Sequence, residues 1–134
     1  LNRLGLANVA QSAINPSEML PAIAQGAIGI EWREADKKTA DILKKIHHEE
    51  TAQQINAERA FLAELDGSCQ TPIAGLATIE GSSLKLTGQV LRTDGSDSIS
   101  ETASSNIEDG PELGRELAQK ILAQAGPNFF DWRD

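Results

Sequence analysis

Apolar positions along this chain follow two periods. They recur at helical spacing in three stretches and at alternate positions in four others. Ile42, Leu43 and Ile46 form the apolar stripe of a helix that Asp36 can cap. Ala52, Ile55, Leu62 and Leu65, with Phe61 beside them, mark a second helix from about Glu49 to Leu65. Leu113, Leu117 and Ile121 repeat every four residues, flanked by Ala118 and Leu122, in a third helix that opens at Asp109-Gly110-Pro111. Alternation predicts strands at Gln25 to Arg33, where Ile28, Ile30 and Trp32 share one parity, and at Ile73 to Glu80, Leu84 to Arg92 and Asp97 to Ser104.

Turn chemistry separates these runs. Asn15-Pro16-Ser17 opens a short helical turn, and Pro21 breaks the chain after it. Gly67 is placed to end the second helix. Gly81-Ser82-Ser83 joins the first two later strands, and Asp94-Gly95 joins the second and third as a hairpin. Leu84, Leu86 and Val90, with Gly88 between them, put one face of the middle strand toward a core. Gly126-Pro127 stops the last helix, and Phe129-Phe130-Asp131-Trp132 is apolar enough to dock. Helix, three antiparallel strands and helix predict an α+β domain over residues 47–134: a small three-stranded antiparallel sheet covered by helices. Residues 1–24 read as a remnant of upstream structure, and the opening Leu1-Asn2-Arg3 reads as the middle of a longer protein.

Charge narrows the partners. The net charge is −8, yet residues 1–46 carry +1 (six basic, five acidic) and residues 47–134 carry −9 (six basic, fifteen acidic). The acidic second part argues against nucleic acid, which needs clustered Lys and Arg. No apolar run is long enough for a membrane span. A lone cysteine excludes an internal disulfide and fits a reducing compartment such as the cytoplasm or a plastid stroma.

That cysteine, Cys69, sits in the loop Leu65-Asp66-Gly67-Ser68-Cys69-Gln70-Thr71-Pro72, between a helix and a strand. On residues alone it reads either as a small packing hydrophobe or as a thiol holding a group on an arm. Asp66 would raise its pKa, and the loop holds no Lys or Arg, so a turnover nucleophile is poorly supported. A single attachment event asks less of the thiol. His47 and His48 are adjacent, so on a helix they face different ways, and a structural zinc site needs about four ligands. No metal is expected, and both histidines read as helix-opening or loop residues.

Four segments together resemble one known family. They are Leu20-Pro21-Ala22-Ile23-Ala24-Gln25-Gly26-Ala27-Ile28-Gly29-Ile30-Glu31, His48-Glu49-Glu50-Thr51, Ala57-Glu58-Arg59-Ala60-Phe61 and Asp66-Gly67-Ser68-Cys69-Gln70-Thr71-Pro72-Ile73-Ala74-Gly75. In order and spacing they are similar to porphobilinogen deaminases, also called hydroxymethylbilane synthases. The resemblance implies a transferase of tetrapyrrole and heme biosynthesis. It joins four porphobilinogen units into hydroxymethylbilane with loss of ammonia. It also implies that Cys69 forms a thioether to a dipyrromethane cofactor, which stays on the protein when the product is hydrolysed off. Arg3 matches an arginine that binds substrate or cofactor carboxylates, and Gln25 and Gly26 match a segment lining the cleft. Arg33 is a weaker match and reads as half of a surface ion pair. By the same comparison, residues 1–24 end the second domain, residues 25–46 cross back to complete the first, and residues 47–134 are the cofactor-anchoring domain.

The family's catalytic aspartate and most of its substrate arginines fall outside the matched residues. The resemblance therefore implies a C-terminal portion with no catalytic residue of its own, inactive without the N-terminal portion of the same enzyme. Its expected partners are porphobilinogen and the growing polypyrrole, and its expected state is a monomer. Two other readings compete: a non-catalytic α+β module that binds a small ligand or a protein, and a thiol redox sensor built on Cys69.

Overall fold

The computed structural model describes residues 1–9, 12–68, 71–126 and 129–130. It contains three helices, α1 (Lys37–Leu43), α2 (Glu49–Glu64) and α3 (Gly110–Gln124), and three strands, β1 (Ile73–Glu80), β2 (Ser83–Leu91) and β3 (Ser98–Asn106). The strands form one antiparallel sheet in the order β1-β2-β3. Glu80 pairs with Ser83, so the β1–β2 hairpin turns on Gly81 and Ser82. The β2–β3 connection is closed by Arg92 N–H donating to the Asp97 carbonyl (2.9 Å), with Gly95 in the left-handed region at its tip.

Alternation decides which sheet face is covered. Ile73 and Ala77 of β1 and Leu84, Leu86 and Val90 of β2 are buried, and Ile99 and Ala103 of β3 pack against them. The register puts Ile73 opposite Val90, Ala77 opposite Leu86, and Leu86 opposite Ala103, so one apolar layer crosses all three strands. The helices α2 and α3 lie on that layer through Ala57, Phe61, Leu65, Leu113, Leu117, Ala118 and Ile121. Phe129 docks on the same core and meets Phe130 edge to face, with ring centroids 5.3 Å apart. The opposite face is polar, and Thr87 and Thr102 share a hydrogen bond across it (3.0 Å).

Three expectations need correction. The buried stripe of α2 runs through Ala57, Glu58, Phe61 and Leu65, whereas Ala52, Ile55 and Leu62 are half-buried. The buried residues lie where α3 meets α2, with Gly114 of α3 against Ala57, Ala60 and Phe61, and Leu62 packs at the margin of the core. The left-handed residue that ends α2 is Asp66 (φ 55°), not Gly67. Third, residues 25–33 form no strand: Ile28 is 91% exposed and Trp32 52% exposed. A strand needs a hydrogen-bonded partner strand, and none of the described strands pairs with this segment.

Before Ala57, no described residue is buried. Leu1, Leu4, Leu6, Val9, Ile14, Met19, Ile28, Ile30, Trp32, Ile42 and Ile46 are all exposed. Local chemistry still shapes this part. The side chain of Asp36 accepts from Thr39 N–H (3.0 Å) and caps α1, which tightens into a 3-10 turn over Lys44–Ile46. The Asn15 side chain accepts from Ser17 N–H (2.9 Å), closing the turn that Asn15-Pro16 predicts.

Candidate functional site: the loop between α2 and β1

The loop that contains Cys69 is tied at both ends. At the end of α2, Asp66 N–H donates to the Ala63 carbonyl (3.1 Å) and Gly67 N–H to the Leu62 carbonyl (3.0 Å). These are the two bonds of a Schellman cap, with Asp66 in the position glycine usually takes. Gly67 is needed for a different reason: a Cβ there would run into the Leu62 side chain and come within 2.7 Å of Ile73 Cδ1. At the other end, Leu91 N–H donates to the Pro72 carbonyl (3.0 Å), fastening the loop to β2.

Between these anchors, Ser68 and Thr71 hold each other. Ser68 N–H donates to Thr71 Oγ1 (2.8 Å), the Thr71 hydroxyl donates to the Ser68 carbonyl (2.7 Å), and Thr71 N–H donates to the same carbonyl (3.2 Å). Cys69 and Gln70 lie outside the described residues, so the structure says nothing of the thiol itself. What it describes is the frame: a turn closed at its base, fixed to a helix end on one side and to the sheet on the other. Such a frame can carry a covalent load without disturbing the core beneath it.

The other sequence-predicted site residues lie upstream. Arg3 is exposed in a 3-10 turn over Asn2–Leu4, and its guanidinium makes no ion pair among the described residues. Gln25 and Gly26 are exposed at the end of a short strap, residues 21–25, which meets the free edge of β1 at Pro21 and Ala22 and then turns. Gln25 Oε1 accepts from Ala22 N–H (3.2 Å), and Gly26 is in the left-handed region (φ 85°). Thus Gln25, with Gly26 next to it, is tied through Ala22 to β1, the strand that follows the Cys69 loop, whereas no described interaction ties Arg3 to it. Arg33 is exposed, but it makes no ion pair among the described residues.

His48 caps α2, accepting Thr51 N–H on Nδ1 (3.2 Å), and His47 Nε2 lies 3.1 Å from Glu49 Oε2. Among the described residues no three His, Cys, Asp or Glu side chains are grouped to hold a metal ion, and no helix is long and apolar enough to cross a membrane.

Sequence reasoning missed the role of Glu58. It is a buried carboxylate, 6% exposed, on the core face of α2. Its Oε1 accepts from Ala77 N–H (2.8 Å) and its Oε2 from Ala24 N–H (2.7 Å). The signal was present in the spacing, because Glu58 stands three and seven residues before Phe61 and Leu65, on their face.

The architecture is that of an α+β domain that frames a cysteine-bearing loop between its first long helix and its first strand. Two family models match the chain. The porphobilinogen deaminase C-terminal domain covers residues 52–123, and the porphobilinogen deaminase dipyromethane cofactor binding domain covers residues 1–41. The chain belongs to the porphobilinogen deaminase family. Among its curated relatives, the porphobilinogen deaminase of Paracoccus denitrificans is 50% identical over 132 residues, which is 98% of this chain and 42% of the relative. That of Maridesulfovibrio salexigens is 44% identical over 131 residues, again 98% and 42%. The chain thus spans about two fifths of the length of the curated relatives it matches.

Proposed function

We propose that this chain is the C-terminal part of a transferase that joins four porphobilinogen units into hydroxymethylbilane with release of ammonia, and that Cys69 anchors its dipyrromethane cofactor. The observation that carries this reading is the framed loop between α2 and β1, in a chain whose residues 52–123 match the family's C-terminal domain. A sulfur–carbon bond at Cys69 would survive the hydrolysis that frees the product, where an ester would not. The bound group supplies the end to which substrate units are added and from which they are released. The chain's own residues contribute placement: the cap of α2, the Ser68–Thr71 clasp and the Pro72–Leu91 bond fix where the arm begins.

The loop residues suit a covalent anchor and do not suit a carboxylate clamp. Porphobilinogen carries carboxylates, which arginine pairs with in bidentate fashion, and the loop has no arginine. In this reading Arg3 supplies one such contact, Gln25 and Gly26 line the cleft, and the remaining charge comes from upstream of this chain. Residues 1–24 then finish the second domain, residues 25–46 complete the first, and residues 47–134 form the anchoring domain. The row of exposed apolar residues up to Ile46 supports that division, since the surface they need is not supplied by this chain.

Intact mass and a peptide map over Cys69 test the anchor. In a protein of the relatives' full length, the Cys69 peptide is expected to carry the added dipyrrole, and Cys69→Ser to abolish the addition. A dipyrrole found on another residue, or loading that persists in Cys69→Ser, would sink the assignment. The 134-residue chain alone is expected to consume no porphobilinogen.

A further inference from the structure

The free edge of β1 presents outward-facing N–H groups that a neighbouring strand would normally take. The strap takes one: Gly75 N–H donates to the Pro21 carbonyl (3.0 Å), and Ala22 pairs with Ala74 as an isolated antiparallel bridge. The pairing is antiparallel, so beyond Ala22 the strap heads toward Ile73 and away from Ala77. Ala24 adopts a left-handed backbone (φ 56°) and turns the chain. Glu58 ties that turn back to the edge, with one carboxylate oxygen on Ala77 N–H and the other on Ala24 N–H.

Two features make this a built arrangement. A left-handed alanine is strained and persists only where its surroundings hold it. A carboxyl group buried this deeply needs hydrogen-bond partners, and the two that it receives come from backbone segments 34 and 19 residues away. Ile23, between them, packs on the core, and its Cδ1 would be 2.7 Å from a Cβ on Gly75, so the edge is shaped to receive it.

We infer that Glu58 is a positioning residue, a clasp that holds the strap on β1 at a strained turn and so sets the direction in which Gln25 and Gly26 leave the domain. Strap and Cys69 loop are then one frame, because α2 carries the clasp and ends at the loop. The docking itself is independent of the proposed chemistry, and only its consequence for the cofactor cleft rests on that reading.

Backbone amide exchange on the 134-residue chain tests the clasp with no activity readout. In Glu58→Gln the side-chain NH2 must face one of two N–H donors. Protection of the Ala24 and Gly75 amides is expected to fall about tenfold or more, while Leu86 and Ile121 keep theirs. Ala24→Gly, which removes the backbone strain, is expected to raise protection at Gly75. Unchanged protection of Ala24 and Gly75 in Glu58→Gln would overturn the inference. So would a parallel loss at Leu86 and Ile121 in both Glu58→Gln and Glu58→Asp, since Glu58 would then be only a support of the core.

Discussion

Asp66 and Gly67 have exchanged the roles that their types suggest. Glycine is the residue expected in the left-handed position that closes a helix, yet Asp66 holds it, and Gly67 is required because Leu62 and Ile73 crowd the space where a side chain would start. Aspartate tolerates this backbone better than most residues but still pays for its Cβ. Asp66→Gly is therefore expected to stabilise the chain by about 0.5–1 kcal/mol, read as a higher denaturation midpoint. Gly67→Ala should do the opposite, by about 1–3 kcal/mol, because its methyl must displace two packed side chains. If both substitutions lowered the midpoint equally, the cap would not be organised this way. Glu58 belongs to the same scale. A single charged residue in an apolar stripe looks like an interruption until its two backbone partners are seen.

At the scale of elements, α1 and α2 differ in what holds them. The seven residues of α1 include none that is buried, so its helix rests on local bonds, above all the Asp36 cap. The hydrogen bonds from the Thr39 side chain and backbone hold the Asp36 carboxyl below its ordinary value. A carboxyl lowered in the folded state stabilises above its unfolded pKa, and the contribution is lost as pH falls through the folded value. Acidification below the usual aspartate range is thus expected to erase the protection of the Thr39 amide. The core of α3 (Leu113, Leu117 and Ile121) should be unaffected at that point. Retention of Thr39 protection in acid would mean that packing, not the cap, maintains α1. The second helix α2 needs no such help, since Ala57, Phe61 and Leu65 are fully buried.

For the whole molecule, the boundary between packed and unpacked chain falls at α2, and before it Ile23 of the strap packs on the core. From α2 onward lies one apolar layer shared by the sheet, α2 and α3, while the segments on either side of the strap carry apolar side chains that no described residue covers. A chain begun at Leu20 is expected to melt within a few degrees of the 134-residue chain, because none of the described residues it removes is buried. One begun at His47 loses Ile23 and the Ala24–Glu58 bond, and its midpoint should fall measurably below both. Equal midpoints for all three would show that the strap contributes nothing to the domain.

Much of this arrangement could be read from residue order alone. Period 3.6 and period 2 marked α2, α3 and the three strands, because each of these elements buries one face and its pattern records that face. Asp-Gly and Gly-Ser marked the hairpins, and four ordered segments, the one around Cys69 among them, marked the family. The alternation of Ile28, Ile30 and Trp32 led to a strand that this chain does not form, because a pattern records a readiness to pair and cannot supply the partner. Which face of α2 is buried, why Gly67 must be glycine, and what Glu58 holds depended on contacts between residues far apart in sequence. Those follow from how α2 sits between α3 and the edge of β1, and only the tertiary structure decides that.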